Sequence, residues 1–326
     1  MDSLLNTARH AFLGLLAAVC IPLSVAAQNY PEQPIKILVP FPPGGGTDFV
    51  SRIVGAKLAE MTGWQIVIEN RPGAGGNLAI EVAARAPADG YTLVMGQTDN
   101  MMIGPWLYSS LTYDSVKSFA PIINVSVTPE AIGSSANGPI KTPGDLIKKG
   151  KTPEGLRWAT AGAGTLGHLV GEDFKNRTNI NLLQVPYKGA APAIADVMGG
   201  QVDVYIGTLA SQSGLAKGGK LHLVTLASSK RSAQFPDTPT LDQTVAKGMD
   251  FSIWMGLFAP VGTSPVIVER INQAMNKVLK HPDVVSKMEA GGVTPAGGSS
   301  QEFAEFVKQD YANWGKLAKA SGVKLD

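Results

Sequence analysis

The chain has 326 residues, of which 44% are hydrophobic and 17% are charged, and its formal net charge at pH 7 is +2. This near balance of charge excludes the strongly basic surface with which many proteins bind nucleic acid. A single cysteine excludes a disulfide within the chain, so a hydrophobic core must stabilise the fold. A chain of this length forms about two domains.

The first 27 residues are typical of a secretory signal peptide. Arg9 precedes an apolar stretch over residues 11–23, and the small residues 25–27 form a cleavage site. An apolar stretch of roughly 13 residues is too short for a membrane span, which needs about 20. Cleavage near Ala27 removes one base and one acid, so 27 basic and 25 acidic residues keep the net charge at +2. We expect an exported, soluble protein with no membrane-inserted segment in its mature chain.

After the leader, strand and helix patterns alternate, which is typical of a parallel α/β sheet. Strands are predicted over residues 35–41, 64–68 and 91–95, and helices over residues 48–61 and 77–85. Together these elements predict one complete doubly wound lobe.

A second alternating set follows and predicts a second lobe. Its strands are predicted over 156–161, 182–185, 202–206 and 221–227, and its helices over 166–175 and 190–198. Long apolar extended runs at 120–127 and 251–260 lie on either side of this set, and we interpret them as two crossings between the lobes. The remaining chain predicts a helix over 265–280 and another after the capping-box pair Ser299 and Glu302. Both should pack on the first lobe.

These patterns predict an α/β protein of two doubly wound lobes joined by two crossings. Lobe 1 is expected to comprise residues 28–126 and 255–326, and lobe 2 residues 127–254. The carboxyl ends of the parallel strands should face a cleft between the lobes, where such sheets bind ligands.

The loop Gly44-Gly45-Gly46-Thr47-Asp48 joins the first strand to the first helix. Backbone N–H groups at a helix N-terminus form an anion site, although a plain tight turn is the alternative. The phosphate-loop pattern is absent, since no lysine follows the glycines. Because the protein is expected to be exported, we predict that the loop binds a carboxylate and not a nucleotide. Asp48 is expected to be the helix N-cap, paired with Arg52.

A second loop, Gly162-Ala163-Gly164-Thr165-Leu166-Gly167, matches the dinucleotide fingerprint G-x-G-x-x-G. The acidic residue expected about 20 positions later is missing, because residues 184–188 read Gln-Val-Pro-Tyr-Lys. This favours a second anion-binding turn with Thr165 as a hydroxyl donor. His168 opens the next helix, and a structural hydrogen bond is the more common role for such a histidine.

Catalytic and metal-binding patterns are scarce in the mature sequence. Its histidines are His168, His222 and His281, and neither H-E-x-x-H nor G-x-S-x-G occurs. We therefore expect no metal, no cofactor and no enzymatic activity.

Several sequence blocks together resemble the periplasmic substrate-binding proteins of tripartite tricarboxylate transporters, known as Bug proteins. The blocks lie at residues 39–48, 69–76, 89–93, 185–189, 200–204, 236–240 and 254–260. They span essentially the whole mature chain. The resemblance implies a monomeric, type II-like Venus-flytrap fold that closes on a small organic carboxylate and delivers it to membrane permease subunits.

The resemblance also implies which residues contact the ligand. In this family two loops, one from each lobe, grip the ligand carboxylate, partly through ordered waters. The matching residues of the first loop are Phe41, Gly44, Gly45, Thr47 and Asp48, and those of the second are Gly162, Gly164, Thr165 and His168. Gln97 and Thr98, which follow the strand at 91–95, are expected to add polar contacts.

Gly207 departs from the family pattern. Many relatives have an aspartate facing the cleft after the Val-Asp-Val strand, whereas this chain has Gly207 followed by Thr208. Losing that acid removes the partner for a ligand ammonium group. Our hypothesis is that both residues contact an aromatic or aliphatic acid without an amine, and that aspartate and glutamate are not preferred.

Two other functions stay open at this point. A sensor that signals to a membrane kinase would use the same flytrap, and only neighbouring genes would separate it from a transport protein. An exported enzyme would use the same cleft, and turnover of a bound acid would reveal it. The absence of a nucleophile-base pair favours the solute-binding protein.

Overall fold

The computed structural model describes residues 29–321 and 324–325. The predicted signal peptide and its cleavage site near Ala27 lie outside the described residues. Over the described ranges, no helix is both long enough and apolar enough to span a membrane. All helices and strands named below belong to the compact unit formed by Gln33–Asp326.

Strands and helices alternate along most of this unit, as the sequence predicts. The strands are β1 (Ile35–Val39), β2 (Ile66–Asn70), β3 (Thr92–Gln97), β4 (Phe119–Ser135), β5 (Leu156–Thr160), β6 (Leu182–Pro186), β7 (Val204–Thr208), β8 (Leu221–Leu226), β9 (Ser252–Pro260) and β10 (Thr294–Pro295). The helices are α1 (Gly46–Thr62), α2 (Asn77–Ala84), α3 (Gly104–Leu107), α4 (Pro143–Gly150), α5 (Leu166–Thr178), α6 (Ala190–Met198), α7 (Leu209–Lys217), α8 (Pro265–Leu279), α9 (Pro282–Ala290) and α10 (Ser300–Ser321). A 3₁₀ turn at Ala74–Gly76 leads into α2, and a π-helical turn at Thr98–Ile103 follows β3.

The sheet contains two parallel triplets in the same arrangement. In the first half, β1 pairs in parallel with β2 and β3, and β9 lies antiparallel beside β3. In the second half, β5 pairs in parallel with β6 and β7, and β4 lies antiparallel beside β7. The full order is β2-β1-β3-β9-β4-β7-β5-β6, with β8 and β10 paired to β4. Each half therefore places its first strand in the middle of a triplet.

Strand β4 belongs to both halves of the sheet. It pairs with β9 from Phe119 to Pro129 and with β7 from Glu130 to Ser134. The extended runs predicted at 120–127 and 251–260 are thus confirmed as extended. They are not mere connections between lobes, because hydrogen bonding between β4 and β9 builds both runs into the sheet.

Asp48 fixes the first glycine loop, but it is not the helix N-cap. The N-cap of α1 is Gly45, so the prediction that Asp48 caps the helix is wrong. Asp48 lies in the first turn, from which its carboxylate reaches back to accept the N–H of Gly44 at 3.0 Å. It also accepts the Asn70 amide at 2.9 Å, and it pairs with Arg52 at 2.8 Å as predicted.

Aromatic side chains hold α10 against the sheet. The capping box between Ser299 and Glu302 begins this helix as predicted, with the Ser299 N–H 2.8 Å from the carboxylate. The Phe303 ring lies 5.6 Å from Trp254 and 5.1 Å from Phe258, measured between ring centroids. Both partners are on β9, so α10 covers the strand that enters the first half of the sheet.

We expect Asp48→Asn to lower the free energy of unfolding at pH 7 by about 1–3 kcal/mol, because two loop contacts and an ion pair are weakened. Burial alone would raise the pKa of Asp48, but hydrogen bonds from Arg52, Asn70 and Gly44 outweigh it and lower the pKa. The charged form therefore stabilises the fold above the unfolded pKa of about 3.9, and this contribution is lost as the pH falls through the lower folded pKa. Urea unfolding from pH 7 to pH 3 should show the difference between variant and wild type shrinking below about pH 4.

The matched control for this variant is Asp173→Asn, which breaks an exposed pair with Arg177 at the same i,i+4 spacing. The control should change stability by less than about 0.5 kcal/mol. Equal effects of the two substitutions would contradict the anchoring role of Asp48.

Gly256 tests the contact between β9 and α10. A Cβ atom at this position would lie 2.2 Å from Cζ of Phe303, so we expect Gly256→Ala to lower the free energy of unfolding by about 1–3 kcal/mol. Gly214→Ala is the control, because no atom lies within 4 Å of its added methyl group and α7 should gain up to about 1 kcal/mol. Opposite shifts in the urea midpoint are expected, and a neutral Gly256→Ala would refute tight packing here.

Candidate functional site

The two halves of the sheet face each other across a buried cavity of about 40 Å³. Its described lining comes from strands β3, β4 and β7, from the loops that follow the parallel strands and from the first turns of the helices after them. It comprises Phe41, Gly45, Gly46, Thr47, Gln97, Asp99, Glu130, Ala161, Thr165, Gly167, Ala190, Tyr205, Ile206, Gly207 and Thr208. A larger groove of about 340 Å³ lies beside α4, between Ile140 and Val202, but none of these loops reaches it. The buried cavity is therefore the candidate site.

Seven of the residues predicted to contact a ligand line this cavity. They are Phe41, Gly45, Thr47, Gln97, Thr165, Gly207 and Thr208. The structure does not place the other five in the lining, namely Gly44, Asp48, Gly162, Gly164 and His168. Thr98 does not line the cavity either. Its hydroxyl instead accepts the backbone N–H of Trp254 at 3.1 Å.

Residues of the second loop form hydrogen bonds with one another, and these include Gly162, Gly164 and His168, which do not line the cavity. The Gly164 N–H donates to Nδ1 of His168 at 3.2 Å, and the Thr165 hydroxyl donates to the Gly162 carbonyl at 2.8 Å. Burial lowers the pKa of His168, which keeps its ring neutral and able to accept. His168 thus has a structural hydrogen bond that shapes the loop.

Helix α1 directs its N-terminus into the cavity. The N–H groups of its first residues have no acceptor within the helix, and the helix dipole adds positive potential at this end. Thr47 donates its hydroxyl hydrogen to the Gln97 side chain, which fixes both lining groups. A Cβ atom at Gly46 would lie 2.7 Å from the Thr208 hydroxyl oxygen, so only glycine lets the loop approach the opposite half this closely. This end of the cavity can hold an anion.

Asp99, which was not predicted as a site residue, is bonded to the N-terminus of α5, the helix that corresponds to α1 in the second half of the sheet. Its carboxylate accepts the N–H of Leu166, the first residue of α5, and the amide of Gln97, both at 2.7 Å. Burial raises the pKa of Asp99 to about 6, against the lowering effect of these two bonds. In the predicted second anion-binding turn, the N–H of Leu166 is therefore already bonded to the protein's own carboxylate.

Glu130 and Tyr205 also line the cavity and were missed. Glu130 is 1% exposed, and its Oε2 atom has no hydrogen-bond partner. The Tyr205 side chain fills the space beside Gly207, where a Cβ atom would lie 2.2 Å from the tyrosine hydroxyl oxygen. Glu130 is an acidic residue within a long, mostly apolar run, and this pattern could have identified it from the sequence. Nothing in the sequence places Tyr205 against Gly207.

Contacts around the cavity hold the two halves together. The Tyr108 hydroxyl, from the first half, donates to the Ala163 carbonyl of the second loop at 3.0 Å. A Cβ atom at Gly189 would lie 2.7 Å from Pro42, which shows a close approach on another side. The cavity is thus enclosed by loops from both halves.

Comparison with known proteins gives the family. The sequence model described as tripartite tricarboxylate transporter family receptor (TctC) matches residues 50–323. Protein BugT of Bordetella pertussis is 31% identical over 318 residues, which are 97% of this chain and 98% of that protein.

Solved structures agree with this match. The R. palustris protein Rpa4515 with adipate is 30% identical with a TM-score of 0.86, covering 91% of this chain and 99% of that one. MatC (Rpa3494) from Rhodopseudomonas palustris with bound malate is 28% identical with a TM-score of 0.82, covering 89% and 100%. The predicted two-lobed α/β fold is confirmed, as is a solute-binding rather than an enzymatic family. The chain belongs to the TctC receptors of tripartite tricarboxylate transporters, the family of the Bug proteins.

Proposed function

We propose that this protein captures a small organic carboxylate in the periplasm and delivers it to the permease subunits of a tripartite tricarboxylate-type transporter. The observation that carries this proposal is the N-terminus of α1, which opens into a buried cavity between the two halves of the sheet. No lysine, arginine or histidine is present among the described residues that line the cavity. Backbone N–H groups of α1 would therefore hold the carboxylate.

The protein would act as a monomer of two lobes that close on the ligand. We assign residues 28–126 and 255–326 to lobe 1 and residues 127–254 to lobe 2. The change of β4 from β9 to β7 between Pro129 and Glu130 supports a hinge near this boundary. Closure would bring the first glycine loop against the turn between β7 and α7.

We infer that the ligand is a dicarboxylate without an amine. The structures of Rpa4515 and MatC contain adipate and malate, which carry two carboxylates and no ammonium group. Asp99 is hydrogen-bonded through both oxygens to the protein, so it has little capacity left for an ammonium group. Tyr205 fills the space beside Gly207, which supports the hypothesis that no acid is available there.

A thermal-shift panel of adipate, malate, benzoate, aspartate and glutamate tests this function. A ligand at 100 times its Kd stabilises the folded protein by about 2.7 kcal/mol, so a bound acid should raise the Tm clearly. Small-angle scattering with the best acid should show a smaller radius of gyration. No stabilisation by any acid would contradict solute capture, whereas preference for aspartate or glutamate would contradict only the inferred ligand class.

Tyr108 should contribute to ligand affinity through closure. Tyr108→Phe removes the hydrogen bond to Ala163 that joins the two lobes, so we expect adipate to bind about 2- to 12-fold more weakly in calorimetry. Tyr187→Phe is the control, because the Tyr187 hydroxyl donates to Asp196 within lobe 2 alone. Equal effects of both variants on adipate affinity would argue against Tyr108 as a closing contact.

A further inference from the structure

Glu130 lies at the point where β4 passes from one half of the sheet to the other. Its pairing with Thr208 of β7 begins one residue after the pairing with β9 ends. The Glu130 N–H donates to the Phe251 carbonyl at 3.0 Å, and the Glu130 carbonyl accepts the N–H of Ala227 at 2.8 Å. The backbone is therefore held on both sides while the side chain lines the cavity.

The carboxyl group of Glu130 is buried but incompletely hydrogen-bonded. The residue is 1% exposed, and Oε2 has no partner in the protein. An unsatisfied buried polar atom destabilises a protein, and a native fold normally avoids it. Because this side chain borders the candidate ligand cavity, a bound ligand is positioned to supply the missing hydrogen bond.

The surroundings of Glu130 disfavour a negative charge. The titratable side chains facing the same cavity are Asp99, from the turn after β3, and Tyr205, from β7. Helix α5 presents Gly167, whose added Cβ atom would lie 3.6 Å from Oε2, and the remaining described lining residues are uncharged. Burial, followed by the Asp99 charge, raises the pKa of Glu130 well above its ordinary value.

We propose that Glu130 contacts the ligand as a neutral carboxylic acid and donates a hydrogen bond to a ligand oxygen outside the carboxylate held by α1. This inference rests on the proposed function and specifies its ligand class. The ligand would carry one carboxylate at α1 and a second acceptor group, as in a dicarboxylate, a hydroxy acid or an oxo acid. The proton stays on Glu130 throughout, and an ionised Glu130 would repel the same ligand.

Proton linkage gives this proposal its test. Wild-type affinity for adipate, measured by calorimetry between pH 6 and pH 10, should fall about tenfold per pH unit once the pH exceeds the pKa of Glu130. Glu130→Gln still donates a hydrogen bond but cannot ionise. It should bind adipate a few-fold more weakly than wild type at pH 6, and more tightly at the alkaline end.

Two further variants separate hydrogen bonding from packing. Glu130→Leu keeps an apolar side chain of similar size without a donor, so it should bind adipate about tenfold more weakly than wild type at pH 6 and show no further loss above the pKa of Glu130. Glu305→Gln, on the exposed side of α10, should reproduce the wild-type profile. Parallel pH profiles of wild type and Glu130→Gln would overturn the proposal, as would tight binding of aspartate that Glu130→Gln abolishes.

Unfolding without ligand supplies an independent readout. A carboxyl with a raised folded pKa is ionised mainly in the unfolded chain, so wild-type stability should fall between the unfolded and folded pKa values. Glu130→Gln lacks this loss and should gain stability relative to wild type as the pH rises from 4. Absence of this gain would overturn the neutral state of Glu130, whereas failure of wild type to bind any acid would overturn the proposed function itself.

Discussion

The hydrogen bonding of β4 to both halves of the sheet is the constraint on which the rest of the structure depends. A strand with partners in only one half would leave the halves joined by free loops, whereas β4 joins them through continuous backbone pairing. The pairing partner of β4 changes from β9 to β7 between Pro129 and Glu130. The same geometry brings the N-termini of α1 and α5 to one cavity, because each helix follows the central strand of its parallel triplet.

The two helix N-termini at the cavity differ in whether a carboxylate of the protein is already bonded to them. The N-terminus of α1 faces the cavity with backbone donors, while that of α5 is already bonded to the Asp99 carboxylate. Asp99 is itself held by Gln97, whose other side-chain atom accepts from Thr47 of α1. One continuous hydrogen-bonded chain therefore connects α1 to α5, and it gives the cavity an anion-binding end and an acidic end. A ligand with a single carboxylate would be oriented by this difference alone.

Local sequence patterns predict the elements well because periodicity and turn chemistry are local. The helix predicted over 190–198 has the bounds of α6, and both glycine loops join a strand to a helix as expected. The missed groups depend on distant contacts. Asp99 bonds a residue 67 positions away, and Glu130 reaches the cavity only because of its register with Thr208. The N-cap position predicted for Asp48 was wrong for a different reason, since residue type alone does not reveal which residue of a glycine loop begins the helix.

Gly207 and Glu130 are the two positions relevant to how the cavity would distinguish amine-free carboxylic acids from amino acids. The sequence lacks an acid at Gly207, which would leave a ligand ammonium group without a partner at this position. In the structure Tyr205 occupies that space, while Glu130 places a different carboxyl group in the same cavity. A carboxyl group attracts an ammonium only when ionised, and burial beside Asp99 disfavours that state. Discrimination against amines would then arise from the protonation of Glu130, and not simply from the absence of an acid at one position.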